Sequence, residues 1–303
     1  MSGEFQKVAE REGESGAGPV VYVVATPIGN LDDMTPRARH VLANVDVIAA
    51  EDTRETRKLL NHFGIQGKRL LSYHDFGETE RAEQLVRETY ERGASLALVS
   101  DAGTPCISDP GYRLVAAAKA RGIKVHPIPG PSALTALASA AGLPSDRLLF
   151  IGFPPTKPQA LRTEIASWAA ARASVVFFES TRRLERTLMA VREIYPEARV
   201  AIGRELTKLY EEIETVSVAD ALAWLATHPT LKGEASVMVA PGATEAQVAL
   251  ASGEERLSPD ELVQRASREF KSGATLKELL QKYRDVGLRR AELYDLLLRA
   301  KDL

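Results

Sequence analysis

Ten short apolar runs, most of them separated by helical patterns, constrain this chain more than any other feature. In the first half, residues 20–25, 45–50, 68–73, 94–99 and 124–127 read as strands. Between and after them, residues 36–43, 54–63, 78–92, 112–121 and 132–141 read as helices. Thr35 before Pro36 is a good N-cap with proline at the first helical position, and Gly64 and Gly93 are stop signals. This β-α order predicts a mainly parallel sheet covered on both faces. A second set follows: strands at 148–152, 174–178, 199–203 and 235–240, an extended stretch at 206–216, and helices at 159–171, 182–195 and 219–226. The expected organisation is a disordered acidic tail (1–18), an α/β domain (19–145), a second α/β domain (146–242), a linker (243–255) and a small helical module (256–303).

Function is expected at the carboxyl edge of the first sheet, where open α/β proteins bind ligands. The segment 100–111, Ser-Asp-Ala-Gly-Thr-Pro-Cys-Ile-Ser-Asp-Pro-Gly, joins the fourth strand to its helix. It is longer than a connection needs, since such loops take ~2–6 residues. Its glycines allow close backbone approach and its prolines fix the loop in advance. Residues 26–31 and 128–133 follow the first and fifth strands, so all three loops belong to one edge. Together they offer backbone amides, the hydroxyls of Thr104, Ser108 and Ser132, and apolar rims at Ile28, Ile107 and Leu134. That chemistry suits a flat heterocycle with a ribose and a zwitterionic tail better than a polyphosphate.

Other chemistries are missing from the sequence. No G-x-G-x-x-G follows the first strand, no P-loop or G-x-S-x-G elbow is present, and five scattered histidines with one cysteine give no metal-ligand spacing. One cysteine also fits a reducing compartment. No apolar run reaches the ~18 residues of a membrane span, and the N-terminus has no signal-peptide core; a cytoplasmic location is expected. The net charge of -2 gives no global nucleic-acid signal.

Four motifs carry a resemblance: Val23-Val-Ala-Thr-Pro-Ile-Gly-Asn-Leu31, Ala50-Glu-Asp-Thr-Arg54, residues 100–111, and Pro129-Gly-Pro-Ser-Ala133. In this order they resemble the ribosomal RNA small subunit methyltransferase I family of the tetrapyrrole-methylase superfamily, over about residues 20–241. The resemblance implies an α/β, two-domain tetrapyrrole-methylase fold that binds S-adenosyl-L-methionine (SAM). It also implies 2′-O-methylation of a cytidine in the decoding region of small-subunit (16S) ribosomal RNA, with that RNA or the 30S subunit as partner, and a homodimer. Cofactor contacts are implied at Pro27, Ile28, Gly29, Asp101, Ala102, Gly103, Thr104, Ile107, Ser132 and Ala133 in the first domain. In the second they are implied at Phe178, Glu179, Leu206, Thr207, Glu234 and Ala235. Thr104 stands where many relatives have aspartate, which leaves Asp101 as the nearer polar contact.

Transfer of a methyl group to a ribose hydroxyl requires alignment and management of one proton. Two polar clusters are candidates: Glu51, Asp52 and Arg54, and Arg204, Glu205 and Lys208. Glu51 and Glu205 are candidate bases; Arg54, Arg204 and Lys208 are candidate phosphate or alkoxide partners. Cys106 reads as a packed thiol, His74-Asp75 as a rim, and Arg182, Arg183 and Arg186 as a solvated face or a phosphate contact. In the C-terminal module, Ser258–Glu261 and Thr275–Glu278 have capping-box spacing, Gly273 and Gly287 end helices, and Leu293, Leu296 and Leu297 share an apolar side. Between Arg265 and Arg290 eight basic residues face three acidic ones, which with a helix-turn-helix-like spacing points to RNA. Two other functions fit part of this pattern: a methyltransferase of a tetrapyrrole or other small molecule, and a non-catalytic ribosome-binding factor.

Overall fold

The computed structural model describes residues 19–74, 78–228, 233–241, 259–283 and 290–301. They fall into two compact units that divide between Pro241 and Gly242.

The first unit holds two five-stranded sheets. Strands β1 (Val20–Val24), β2 (Val47–Ala50), β3 (Arg69–Ser72), β4 (Ser95–Val99) and β5 (Lys124–Ile128) are all parallel, in the order β3-β2-β4-β1-β5. Their apolar runs are nearly continuous because both faces are covered. Helices α1 (Pro36–Asn44) and α2 (Thr53–His62) bury Val41, Leu42 and Leu60 against Tyr22, Ile48 and Val99. Helices α3 (Glu78–Glu91) and α4 (Tyr112–Ala120) bury Leu85, Val86 and Leu114 against Val21, Leu96 and Leu98 on the other face. The Thr35 hydroxyl accepts from the Ala38 amide at 3.1 Å and caps α1, with Pro36 in the first turn.

Helix α5 (Ala133–Ala140) leaves this sheet and packs on the second. The second sheet contains β6 (Leu148–Phe150), β7 (Ser174–Ser180), β8 (Arg199–Arg204), β9 (Glu212–Ser217) and β10 (Glu234–Ala240). Its order is β6-β7-β10-β8-β9, and only β6 and β7 are parallel. One face packs on α6 (Pro158–Ala171), α7 (Thr181–Ile194) and α8 (Val218–Thr227) through Trp168, Phe177, Leu188 and Val237. The other face meets α5 through Val176, Ala201 and Met238. The stretch expected to be extended from residue 206 becomes a strand only at Glu212; residues 205–211 are a loop with Glu205 and Thr207 at φ 47° and 67°.

The second unit packs α9 (Pro259–Lys271), α10 (Leu276–Lys282) and α11 (Arg290–Lys301) around Leu262, Leu279, Tyr283, Leu293 and Leu297, with Leu296 at its edge. The Thr275–Glu278 capping box is formed. Glu269 of α9 takes the Lys282 ammonium and the Tyr283 hydroxyl at 2.7 Å each and so ties α9 to the end of α10. Burial would raise its pKa, but those two bonds hold it below the ordinary range. Ser258, Arg284, Asp285, Gly287 and Arg289 lie outside the described residues, as do the tail, Asp75 and the linker.

Candidate active site

The three loops expected to converge are hydrogen-bonded into one wall. Thr26 and Gly103 exchange two backbone bonds of 2.8 and 3.0 Å. The Thr26 hydroxyl donates to the Ser100 carbonyl at 3.3 Å, and Thr104 donates to the Pro131 carbonyl at 3.1 Å. Gly103 sits at φ 79°, and a Cβ there would stand 3.3 Å from the Ile28 side chain. Non-glycine residues at positive φ are uncommon, yet Cys106 and Ser108 adopt φ 71° and 66° in this loop. The Cys106 sulfur occupies the space left by Gly111, where a Cβ would be 2.6 Å away. The thiol is therefore loop packing, as expected.

This wall borders a cavity of about 580 Å³ whose other side is the second sheet. From the first wall come Ile28, Asp101, Ala102, Gly103, Thr104, Ile107, Ser132 and Ala133. From the second come Phe178, Leu206, Glu234 and Ala235. The catalytic candidates Glu51, Glu205 and Lys208 also reach it. Glu51 accepts from the Asp101 amide at 3.2 Å, and Asp101 accepts from the Asp52 amide at 2.9 Å, so the ends of β2 and β4 are locked together.

Seven of the expected site residues lie elsewhere, and strand alternation explains two of them. On β7, Phe178 faces the cavity and Glu179 the helical side, where it is fully buried. Its carboxylate accepts from the Thr187 hydroxyl at 2.8 Å and the Ser180 amide at 2.9 Å and pairs with Arg183 at 3.2 Å. On β8, Gly203 faces the cavity, and Arg204 turns to Glu212 at 2.8 Å and lies over the Trp224 ring. Thr207 packs on the first wall instead of lining the cavity: a Cβ at Gly29 would be 3.0 Å from its hydroxyl. Pro27 and Gly29 line a neighbouring cavity of about 400 Å³.

Asp52 and Arg54 do not line the larger cavity and form a bidentate pair, with a shortest contact of 2.7 Å. The bonds from Arg54 hold the Asp52 carboxyl far below the usual carboxylate range, so it stays ionised and is unsuited to be a base. Arg183 and Arg186 donate to the carbonyls of Pro154 and Thr156, at 2.9 and 3.0 Å. They fasten the 153–157 segment and are not a free phosphate surface.

Asp109, Phe153, Gly203, Gly233 and Ser236 also line the cavity and were missed by sequence reasoning. Alternation from the Val237 core position would have found Ser236, and alternation from Ile202 would have found Gly203. Phe153 stacks edge-on with Phe178 at 5.8 Å; nothing local marked it. A groove of about 610 Å³ between α6 and α7 is lined by helix surface and touches none of the strand-end loops. Size alone would mislead here.

The residues present fit SAM. The cavity volume suits a small-molecule site. Gly103 and Ala133 allow close approach, and Ile28, Ile107, Leu206 and Phe178 offer apolar walls to a heterocycle. Asp101, Glu51 and Glu205 supply carboxylates for hydroxyl or cationic groups. Lys208 is the one cation among the described lining residues, and it pairs with Glu205 at 3.2 Å, which disfavours a polyphosphate.

Comparison with known proteins agrees with this geometry. Residues 20–222 match the family model of Tetrapyrrole (Corrin/Porphyrin) Methylases. A Mesorhizobium japonicum protein named ribosomal RNA small subunit methyltransferase I is 47% identical over 75% of this chain and 77% of its own length. Its namesake from Escherichia coli O157:H7 is 46% identical over 73% of this chain and 77% of its own length. Among solved structures, the methyltransferase CobJ aligns at TM-score 0.53 and 21% identity over 75% of this chain and 95% of its own. Uroporphyrin-III-C-methyltransferase from Thermus thermophilus aligns at 0.50 and 20% identity over 77% and 97%. Those structural likenesses show the fold alone. By the family model that its residues 20–222 match and by these sequence relatives, the chain belongs to the ribosomal RNA small subunit methyltransferase I family, within the tetrapyrrole methylases.

Proposed function

We propose that this protein is a SAM-dependent methyltransferase that places a methyl group on the ribose 2′-oxygen of a cytidine in the decoding region of small-subunit ribosomal RNA. The observation that carries the reading is the cavity between the two sheets, lined by apolar residues, by small residues at the strand-end loops and by carboxylates. Bound there, SAM supplies an electrophilic methyl group. The backbone of residues 101–104 and the first turn of α5 would hold its polar parts, and Ile107 and Phe178 would pack on its flat ring.

The protein's own task is to align the ribose oxygen and remove its proton. Glu51 and Glu205 are the candidate bases in this reading; both line the cavity, as do Asp101, Asp109 and Glu234. In this reading Lys208, which pairs with Glu205 at 3.2 Å, stabilises the developing alkoxide. Arg204 pairs with Glu212 on the helical side of the sheet and is given no role in this reading.

The C-terminal unit contacts the RNA through the basic residues clustered between Arg265 and Arg290 in the sequence, and the protein works as a homodimer in the cytoplasm. Sedimentation at micromolar concentration should give a species of about twice 33.0 kDa; the single-chain mass alone contradicts the dimer.

The function is tested by mapping ribose methylation across ribosomal RNA in cells with and without this protein. One decoding-region cytidine should lose its 2′-O-methyl group when the protein is absent and regain it on complementation. Identical maps would overturn the reading.

A further inference from the structure

The two faces of the first sheet carry different charge. Helices α1 and α2, on one face, bear five basic side chains (Arg37, Arg39, Arg54, Arg57, Lys58) against Glu55 as the one acid. Helices α3 and α4, on the other, bear four basic against five acidic. Arg54, 82% exposed, pairs with Asp52 and Lys58, 73% exposed, pairs with Glu55, each at 2.7 Å; against these two carboxylates the face keeps an excess of three basic side chains. Arg39 lies over the Phe63 ring, with its guanidinium 5.4 Å from the ring centroid.

The 400 Å³ cavity opens beside this face. Glu55, Thr56, Lys58, Leu59 and His62 of α2 form one side, with Lys58 paired to Glu55 at 2.7 Å, and Pro27, Gly29 and Leu31 form the other. It shares Asp101 with the SAM-sized cavity. Ile28 lines the larger cavity while its neighbours Pro27 and Gly29 line the smaller, so a single thickness of chain separates the two. Leu31, 39% exposed, and the His62 ring add apolar and aromatic surface to the cations. Cations beside a stacking surface are what single-stranded nucleic acid needs: charge for the backbone, a flat face for a base.

We propose that this second cavity and the basic face of α2 are where the substrate RNA strand lies. Its phosphates sit against Arg57 and against Lys58, where a phosphate takes the place of Glu55 as the partner of the ammonium; one base lies beside His62 and Leu31, and the strand delivers the acceptor ribose to the Asp101 edge of the larger cavity. The inference rests on the RNA methyltransferase reading above. It adds an RNA surface on the catalytic unit itself, independent of the C-terminal helices.

The test uses full-length protein and small ribosomal subunits that lack the methyl group, with steady-state methylation measured at several salt concentrations. Arg57→Glu/Lys58→Glu should raise KM for the subunit at least tenfold and keep kcat within about twofold. The neutral pair Arg57→Gln/Lys58→Gln should raise it severalfold, which covers the case in which the charge reversal harms folding. Loss of two phosphate contacts should make the slope of log KM against log salt shallower by about 1.5. SAM affinity by calorimetry should not change. Arg87→Glu on α3 should leave KM unaltered. The inference is overturned if both α2 variants keep wild-type KM, or if Arg87→Glu raises KM as much as they do. If the wild-type protein methylates neither subunits nor naked ribosomal RNA, the methyltransferase reading falls first and this inference with it.

Discussion

The two walls of the larger cavity are built on different plans. The first wall is three strand-end loops on one parallel sheet, knitted by Thr26, Gly103 and Thr104, so its contacts come from backbone and small residues. The second wall is the face of a mostly antiparallel sheet plus the 205–211 loop, so its contacts come from alternate side chains and one tight turn. A loop wall is sensitive to added volume. A strand wall is sensitive to which face a residue occupies, and neighbours in sequence can have unrelated roles.

The largest effect that would sharpen this contrast is steric, on the loop wall. Ala133→Trp should reduce SAM affinity at least a hundredfold while cooperative unfolding is retained, as read by calorimetry and thermal melts. Gly103 is a poorer probe because its φ of 79° makes any substitution strain the loop itself. On the strand wall, Glu179→Ala should cost about 3 kcal/mol of stability, because it leaves Arg183 and Thr187 without their buried carboxylate. SAM affinity of the folded protein should stay within a few-fold of wild type. Loss of SAM binding at full stability would put Glu179 inside the site and break the comparison. Its neighbour should behave oppositely: Phe178→Ala should weaken SAM binding about tenfold, in line with ~1.5 kcal/mol for an aromatic contact, with a smaller loss of stability.

The smallest effect lies in the C-terminal unit, outside both walls. The Glu269 pKa is depressed in the folded state, so its stabilisation is present above the unfolded value of about 4.3 and is lost as pH falls through the folded value. Glu269→Gln should therefore reduce acid sensitivity below about pH 4 for the C-terminal unit, measured by amide exchange, and leave the sheets unchanged.

The loop wall was legible in the sequence because glycine, proline and hydroxyl residues clustered after apolar runs have few other uses. The strand wall was less so. Pairs such as Phe178-Glu179 and Arg204-Glu205 looked like joint contributors, yet the pleat sends Glu179 and Arg204 to the helical face. Alternation applied within each strand would have separated them. The antiparallel order of β10 between β7 and β8 was hidden, because a β-α rhythm does not state strand direction when loops are long enough to reverse it. The turn at 205–211 was also hidden: Leu206, Leu209 and Tyr210 make it look like a strand, although Leu209 and Tyr210 are 88% and 80% exposed.

The central claim is that one cavity, closed by both walls, holds SAM. Titration calorimetry of SAM into the full-length protein tests it directly. The account predicts saturable binding at one site per chain that Ala133→Trp on the loop wall and Phe178→Ala on the strand wall each weaken. Binding that neither substitution affects, or no binding by the wild-type protein, would contradict it.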